Sequence, residues 1–174
     1  LRHRRASLRL LQDRDDLEQV LSFLLFADGV TATLVSAAPR GIALEGFTSS
    51  IAPDTAGHIT WRIGQAGFDM NLSGRVPGAI GEHLPRVLPT LAGGDPDDVA
   101  LWAIHPVLDA VEAAANIGSN ALAFSRNVLR NFGNMSSATV LFVLADMLKA
   151  GSTGKGLALA FGPGMTVEAL RFRM

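Results

Sequence analysis

The chain has 174 residues, 48% of them hydrophobic and 18% charged, with a formal net charge of −1 and no cysteine. These values fit one globular domain with a real core. They give no electrostatic footprint for a nucleic-acid partner and exclude disulfides and thiolate nucleophiles within this chain.

No apolar run reaches membrane-spanning length and no signal-peptide pattern opens the sequence, so the reading is cytoplasmic, with no membrane partner. Arg2, His3, Arg4, Arg5 and Arg9 form a basic run, read as a solvated face or strand edge rather than a phosphate site. Leucines and Val20 recur at helical spacing from Arg14 to Phe26, with Asp13, Asp15 and Asp16 favouring the first turn. Thr31 to Ser36 reads as a strand. Ile42–Ile51 and His58–Ile63 read as extended segments around the turn-rich Pro53-Asp54-Thr55-Ala56-Gly57, and Phe68–Leu72 as a further short strand. Val76-Pro77-Gly78 leads into a helix carrying Ile80, Leu84, Val87, Leu88 and Leu91.

Val99–Ile104 has the mark of a buried strand, a short apolar run between a loop and a proline. Val107–Ala115 and Phe124–Phe132 read as helices, and Asn134 is expected to open a long helix to Lys149. Leu157–Phe161 and Thr166–Phe172 close the chain around a Gly-Pro-Gly turn. Alternating strands and helices predict an α/β domain with a mixed, mostly parallel sheet flanked by helices, its last strands an antiparallel pair. Because the sequence starts at Leu1 inside an ongoing pattern, a fragment of a longer protein is expected.

The chemistry concentrates near two residues. His105 follows a buried strand, and residues at carboxyl ends of sheet strands commonly point into a ligand crevice. Taken alone, a structural role fits it best. An imidazole N–H and the Asn134 amide can together stabilise a carbonyl oxygen gaining negative charge. Asn134 reads equally as a helix N-cap, although a cap does not explain the small residues crowded after it. Phe161-Gly162-Pro163-Gly164 reads as a rigid turn that can shape a cavity wall. His3, His58 and His83 lack an acidic or cysteine cluster, so no metal site is expected. The stretch from Gly151 to Gly156 lacks the spacing of a phosphate-binding loop.

Six motifs then occur in one familiar order: Phe26-Ala27-Asp28-Gly29, Ile51-Ala52-Pro53-Asp54, Val76-Pro77-Gly78, Ile104-His105-Pro106, Gly133-Asn134-Met135-Ser136-Ser137-Ala138 and Phe161-Gly162-Pro163-Gly164-Met165-Thr166-Val167-Glu168. With them the chain resembles the C-terminal half of chalcone/stilbene synthase-like enzymes, the type III polyketide synthases. The resemblance implies a thiolase fold of two similar α/β halves, with residues 1–174 as the C-terminal one and a nucleophilic Cys in the absent N-terminal half. It implies His105 and Asn134 as catalytic residues and Phe26 as one gatekeeper. Met70 stands where the second gatekeeper is a Phe, which implies a differently shaped pocket, since Met is flexible and fills space loosely. Ser136 matches a position lining the cyclisation cavity, and Phe161, Gly162, Pro163 and Gly164 match the scaffold beside it.

Further implications concern the reaction. Acyl-CoA and malonyl-CoA are the implied substrates, coenzyme A thioesters with no separate cofactor, and the implied assembly is a homodimer. The Cys thiolate takes an acyl group, with His105 as imidazolium lowering its pKa. Malonyl-CoA is decarboxylated between His105 and Asn134, and the enolate extends the acyl chain by decarboxylative Claisen condensation. Two departures stand out. The Cys is absent, and the two glycines that normally follow His-Pro are replaced by an immediate Val107, where a missing loop is expected rather than a deletion. The alternatives are a non-catalytic thiolase-fold domain serving dimerisation or ligand binding, and a fatty-acid-type 3-oxoacyl synthase.

Overall fold

The apolar and small residues of the two closing strands build the centre of the main sheet. In the computed structural model, which describes residues 24–64 and 67–174, six strands and four α-helices follow in chain order. β1 is Ala43–Ile51, β2 Ile59–Gly64, β3 Gly67–Leu72, α1 Val76–Ala92, β4 Leu101–Ile104, α2 Leu108–Ala115, α3 Ala123–Phe132, α4 Ala138–Lys149, β5 Lys155–Gly162 and β6 Thr166–Arg173. The basic run of the first ten residues and all but the end of the helix expected over 14–26 lie outside the described residues. Residues 24–25 are helical.

Four strands form a mixed sheet in the order β1-β6-β5-β4. β4 and β5 are parallel, joined through α2, α3 and α4. β5 and β6 form the expected antiparallel pair, and β1 runs antiparallel to β6. Within this sheet, parallel pairing is thus confined to β4–β5. The turn between β5 and β6 is Pro163–Met165, with Gly164 at φ 66°, a left-handed conformation that glycine adopts without steric cost.

Side chains alternate across the sheet, as the period-two geometry of a strand requires. Trp102, Ile104, Leu157 and Leu159 enter a core with α1 and α2. Ala103, Ala158 and Phe172 face the opposite way, into a second core with Val128 of α3 and Val143, Leu144 and Met147 of α4. α1 buries Val76, Ile80, Leu84, Leu88 and Leu91, one stripe at helical spacing. It carries Pro85 and Pro89 in its interior, where each removes a backbone hydrogen bond. Both prolines lie on the exposed side, leaving the apolar stripe intact. β2 and β3 form a separate antiparallel ribbon that packs against the Pro163–Met165 turn.

Two expectations need correction. Thr31 to Ser36 forms no strand. Val30 and Leu34 are 88% and 92% exposed. Strand propensity expresses packing against neighbours on a pleated surface, and no strand of the described residues lies beside this segment. Asn134 does not open the following helix either. α4 starts at Ala138 with Ser137 at the N-cap, and no side chain caps it.

The tightest packing lies on the second core's side of β5. Gly156 is buried, and a Cβ built there overlaps the Phe172 ring, itself wholly buried. Gly156→Ala should therefore destabilise the fold by about 1–3 kcal/mol, the usual range for overpacking. Urea denaturation checks it, and adding Phe172→Leu should recover part of the loss.

Candidate active site

Among the described residues β4 lies at one edge of the sheet, with β5 as its one neighbour. Its ladder runs one residue past the strand, because the His105 N–H donates to the Leu159 carbonyl at 2.9 Å. The neighbouring Ile104 N–H points the other way, to the buried hydroxyl oxygen of Ser125 at 3.0 Å. Pro106 is buried and ends the extended run. The chain passes straight into Val107, whose carbonyl accepts the Val111 N–H at 3.1 Å in the first turn of α2. The junction without glycines is thus compatible with a regular helix start.

The second half of the site is a turn between α3 and α4. Gly133 ends α3 at φ 76°, and a Cβ there crowds Ala27. Asn134 then pairs with the segment before it in the chain. Its N–H donates to Leu25 O at 3.0 Å, and its carbonyl accepts the Ala27 N–H at 2.8 Å. Phe26, half-buried, lies opposite in a parallel bridge. The Met135 N–H is held by Thr139 Oγ1 at 2.9 Å. The Ser136 N–H donates to Asn134 Oδ1 at 2.9 Å, which places Ser136 at φ 55°.

That last bond orients the amide. With Oδ1 engaged, the NH2 group of Asn134 is the end left to donate. Asn134 is only 2% exposed, so its donors are shielded from bulk water. The His105 ring lies beside the Asn134 side chain and the Ser136 backbone. Burial, the largest influence, pulls the His105 pKa below the ordinary histidine value, and these two neighbours only partly oppose it. The neutral ring is therefore favoured near pH 7. A thiolate beside it pulls the other way, because opposite charge favours the imidazolium.

The sequence-predicted residues thus fall into two groups. Asn134, Ser136 and Phe26 are tied together by a hydrogen bond and one backbone bridge, with the His105 ring beside them. The second group is held by packing. Phe161 is buried in the first core, and the half-buried Met70 packs against that same core. Gly162 ends β5 and Pro163 opens the turn. The Gly164 carbonyl accepts the Thr55 hydroxyl at 3.2 Å. β5 links the two groups. Leu159, which holds His105, precedes Phe161 by two residues, about 7 Å along a strand and on the same face.

Ser125 and Thr139, 2% and 1% exposed, were not among the residues singled out from the sequence. The signal for both is a hydroxyl on the buried stripe of a helix. Among the described residues, no group of three or more His, Cys, Asp or Glu could hold a metal ion. No described helix is long and apolar enough to cross a membrane.

A histidine whose charged form is disfavoured in the fold links stability to pH. The unfolded chain takes up the proton first as pH falls, so stability is full above the ordinary histidine value and declines below it. Denaturation midpoints should fall from about pH 7.5 to about pH 5, and His105→Gln should reduce the slope. Equal slopes in the two proteins would contradict the burial of a neutral ring.

Comparison with known proteins bears on the family and the fold. Residues 43–174 match the family described as chalcone and stilbene synthases, C-terminal domain. The chain is 35% identical to bisdemethoxycurcumin synthase of Oryza sativa subsp. japonica, over 84% of this chain and 42% of that protein. It superposes on the crystal structure of PKS-I from the brown alga Ectocarpus siliculosus with a TM-score of 0.80 and 25% identity, covering 92% of this chain and 48% of that one. The chain spans about half the length of the relatives it matches, and its fold is that of a polyketide synthase of the thiolase type. The chain belongs to the chalcone and stilbene synthase family, as its C-terminal domain.

Proposed function

We propose that this chain is the C-terminal half of a type III polyketide synthase, an acyltransferase that condenses malonyl-CoA onto an acyl-CoA starter. The observation that carries the reading is the contact between His105 and the Asn134 carboxamide, whose oxygen is already engaged by Ser136. An imidazole N–H beside an amide NH2 supplies the pair of donors that an enolate oxygen needs. Neither donor has to give up its proton for the charge to be stabilised.

In this reading a Cys thiolate from the preceding half displaces coenzyme A from the starter and becomes acylated. Malonyl-CoA places its thioester oxygen between His105 and Asn134. The carbon–carboxylate bond breaks, carbon dioxide leaves, and the electron pair moves onto that oxygen as an enolate. The enolate carbon attacks the acyl thioester, a carbon–carbon bond forms, and the Cys thiolate is released. The working assembly is a homodimer. Coenzyme A thioesters are the substrates and no further cofactor takes part.

Phe26, Ser136, Met70 and the Phe161–Gly164 turn line the pocket in which the chain grows. Met70 packs with Phe161 around one core, so its volume sets part of that wall. A Phe in its place is stiffer and larger.

Two measurements test these roles in the polypeptide that contains both halves. Asn134→Ala should slow carbon dioxide release from malonyl-CoA by about 10²–10³-fold, the usual cost of one oxyanion donor, while starter loading stays measurable. Decarboxylation equal to wild type refutes the role. Met70→Phe should shift products toward fewer extensions by mass spectrometry, and an unchanged distribution removes Met70 from the wall.

A further inference from the structure

Ile104 is a residue of an edge strand whose backbone nevertheless has no access to water. Its side chain is 1% exposed, and its N–H faces away from β5 while that of His105 faces toward it. Edge strands ordinarily leave such groups to solvent. Here the Ser119–Leu122 turn and α3 pack over the edge, and the Ser125 hydroxyl supplies the acceptor. Ser125 is itself 2% exposed, so no water can readily replace it.

The next residue acts on the other side of the same turn. Arg126 Nη2 contacts Asp109 Oδ1 and Glu112 Oε2, each at 2.7 Å. Both carboxylates belong to α2, the helix that begins just after His105-Pro106. Consecutive residues of α3 thus grip the strand before the His105 turn and the helix after it. The ion pairs are partly exposed and are the weaker arm; the buried Ser125 bond is the stronger. α3 then runs on without a break to Gly133 and Asn134. One short rod carries both the clamp on His105 and the turn that presents the amide.

We propose that Ser125 is a positioning residue, whose acceptance of the Ile104 N–H sets the separation of His105 from Asn134. This rests on the reading of those two side chains as the oxyanion donors. Ser125 touches no reacting atom; it acts through the strand end it holds.

The test uses the polypeptide containing both halves, with Ser125→Ala, Ser125→Thr and Asn134→Ala assayed together. Ser125→Ala should lower kcat for malonyl-CoA decarboxylation by roughly 10- to 100-fold, the scale of a misplacement near 1 Å, with KM little changed. Its pH–rate profile should shift, because the His105 ring changes its contacts. Ser125→Thr keeps the hydroxyl and should restore both rate and profile. Should Ser125→Ala fail to fold, Ser125→Cys takes its place, since sulfur is of similar size but a weak acceptor. A folded Ala or Cys variant with wild-type kcat and profile overturns the inference, as does a Thr variant as impaired as Ala. If Asn134→Ala is slow while Ser125→Ala is not, the positioning role alone falls. If Asn134→Ala is also unimpaired, the oxyanion reading falls and this inference with it.

Discussion

The bond from the Ser136 N–H to the Asn134 carboxamide oxygen decides which end of that amide is left to act. An unrestrained asparagine presents oxygen or NH2 with little preference, and only the NH2 can stabilise an anion. The fold prevents the wrong choice with a backbone group rather than with another side chain. Everything around the turn serves that end. Thr139 satisfies Met135, Gly133 accepts a left-handed conformation, and the 25–27 segment holds Asn134 on both sides. Buried backbone groups that lost these partners would each cost about 1–3 kcal/mol, so the turn has few alternative shapes.

Burial sets the second condition of the site. Partial burial of His105 disfavours its charged form, and the same partial exclusion of water strengthens a hydrogen bond to a developing anion. The ring is therefore a neutral donor in this half. A charged ring requires an anion beside it, which this chain, lacking cysteine, does not supply as a thiolate. In the proposed reaction the chemistry is divided between halves at the level of charge as well as of residues.

Much of the fold was legible in the sequence, because apolar periodicity reports burial directly. The stripe through Ile80, Leu84, Leu88 and Leu91 and the closing strand from Leu157 to Phe161 each match their observed elements. Thr31–Ser36 misled for the same reason that these succeeded. Its residues suit a strand, but pairing is a tertiary property and no described neighbour provides it. The start of α4 misled for another reason. Asparagine at a helix start usually caps, whereas here its oxygen bonds two residues ahead in a tight turn before the helix begins. His105 and Asn134 stood out by residue type and motif. Ser125 did not, since its importance lies in a single long-range bond to a backbone group, which no local pattern encodes.

Ser136 carries a φ of 55° without being glycine. Branched side chains are strongly disfavoured in that region, whereas Gly, Asn and Asp enter it readily. Compact or short polar groups are therefore the replacements this backbone accepts with least strain. A valine or an isoleucine is strained there, so under the proposed function changes of cavity size fall to neighbours such as the strand that bears Met70.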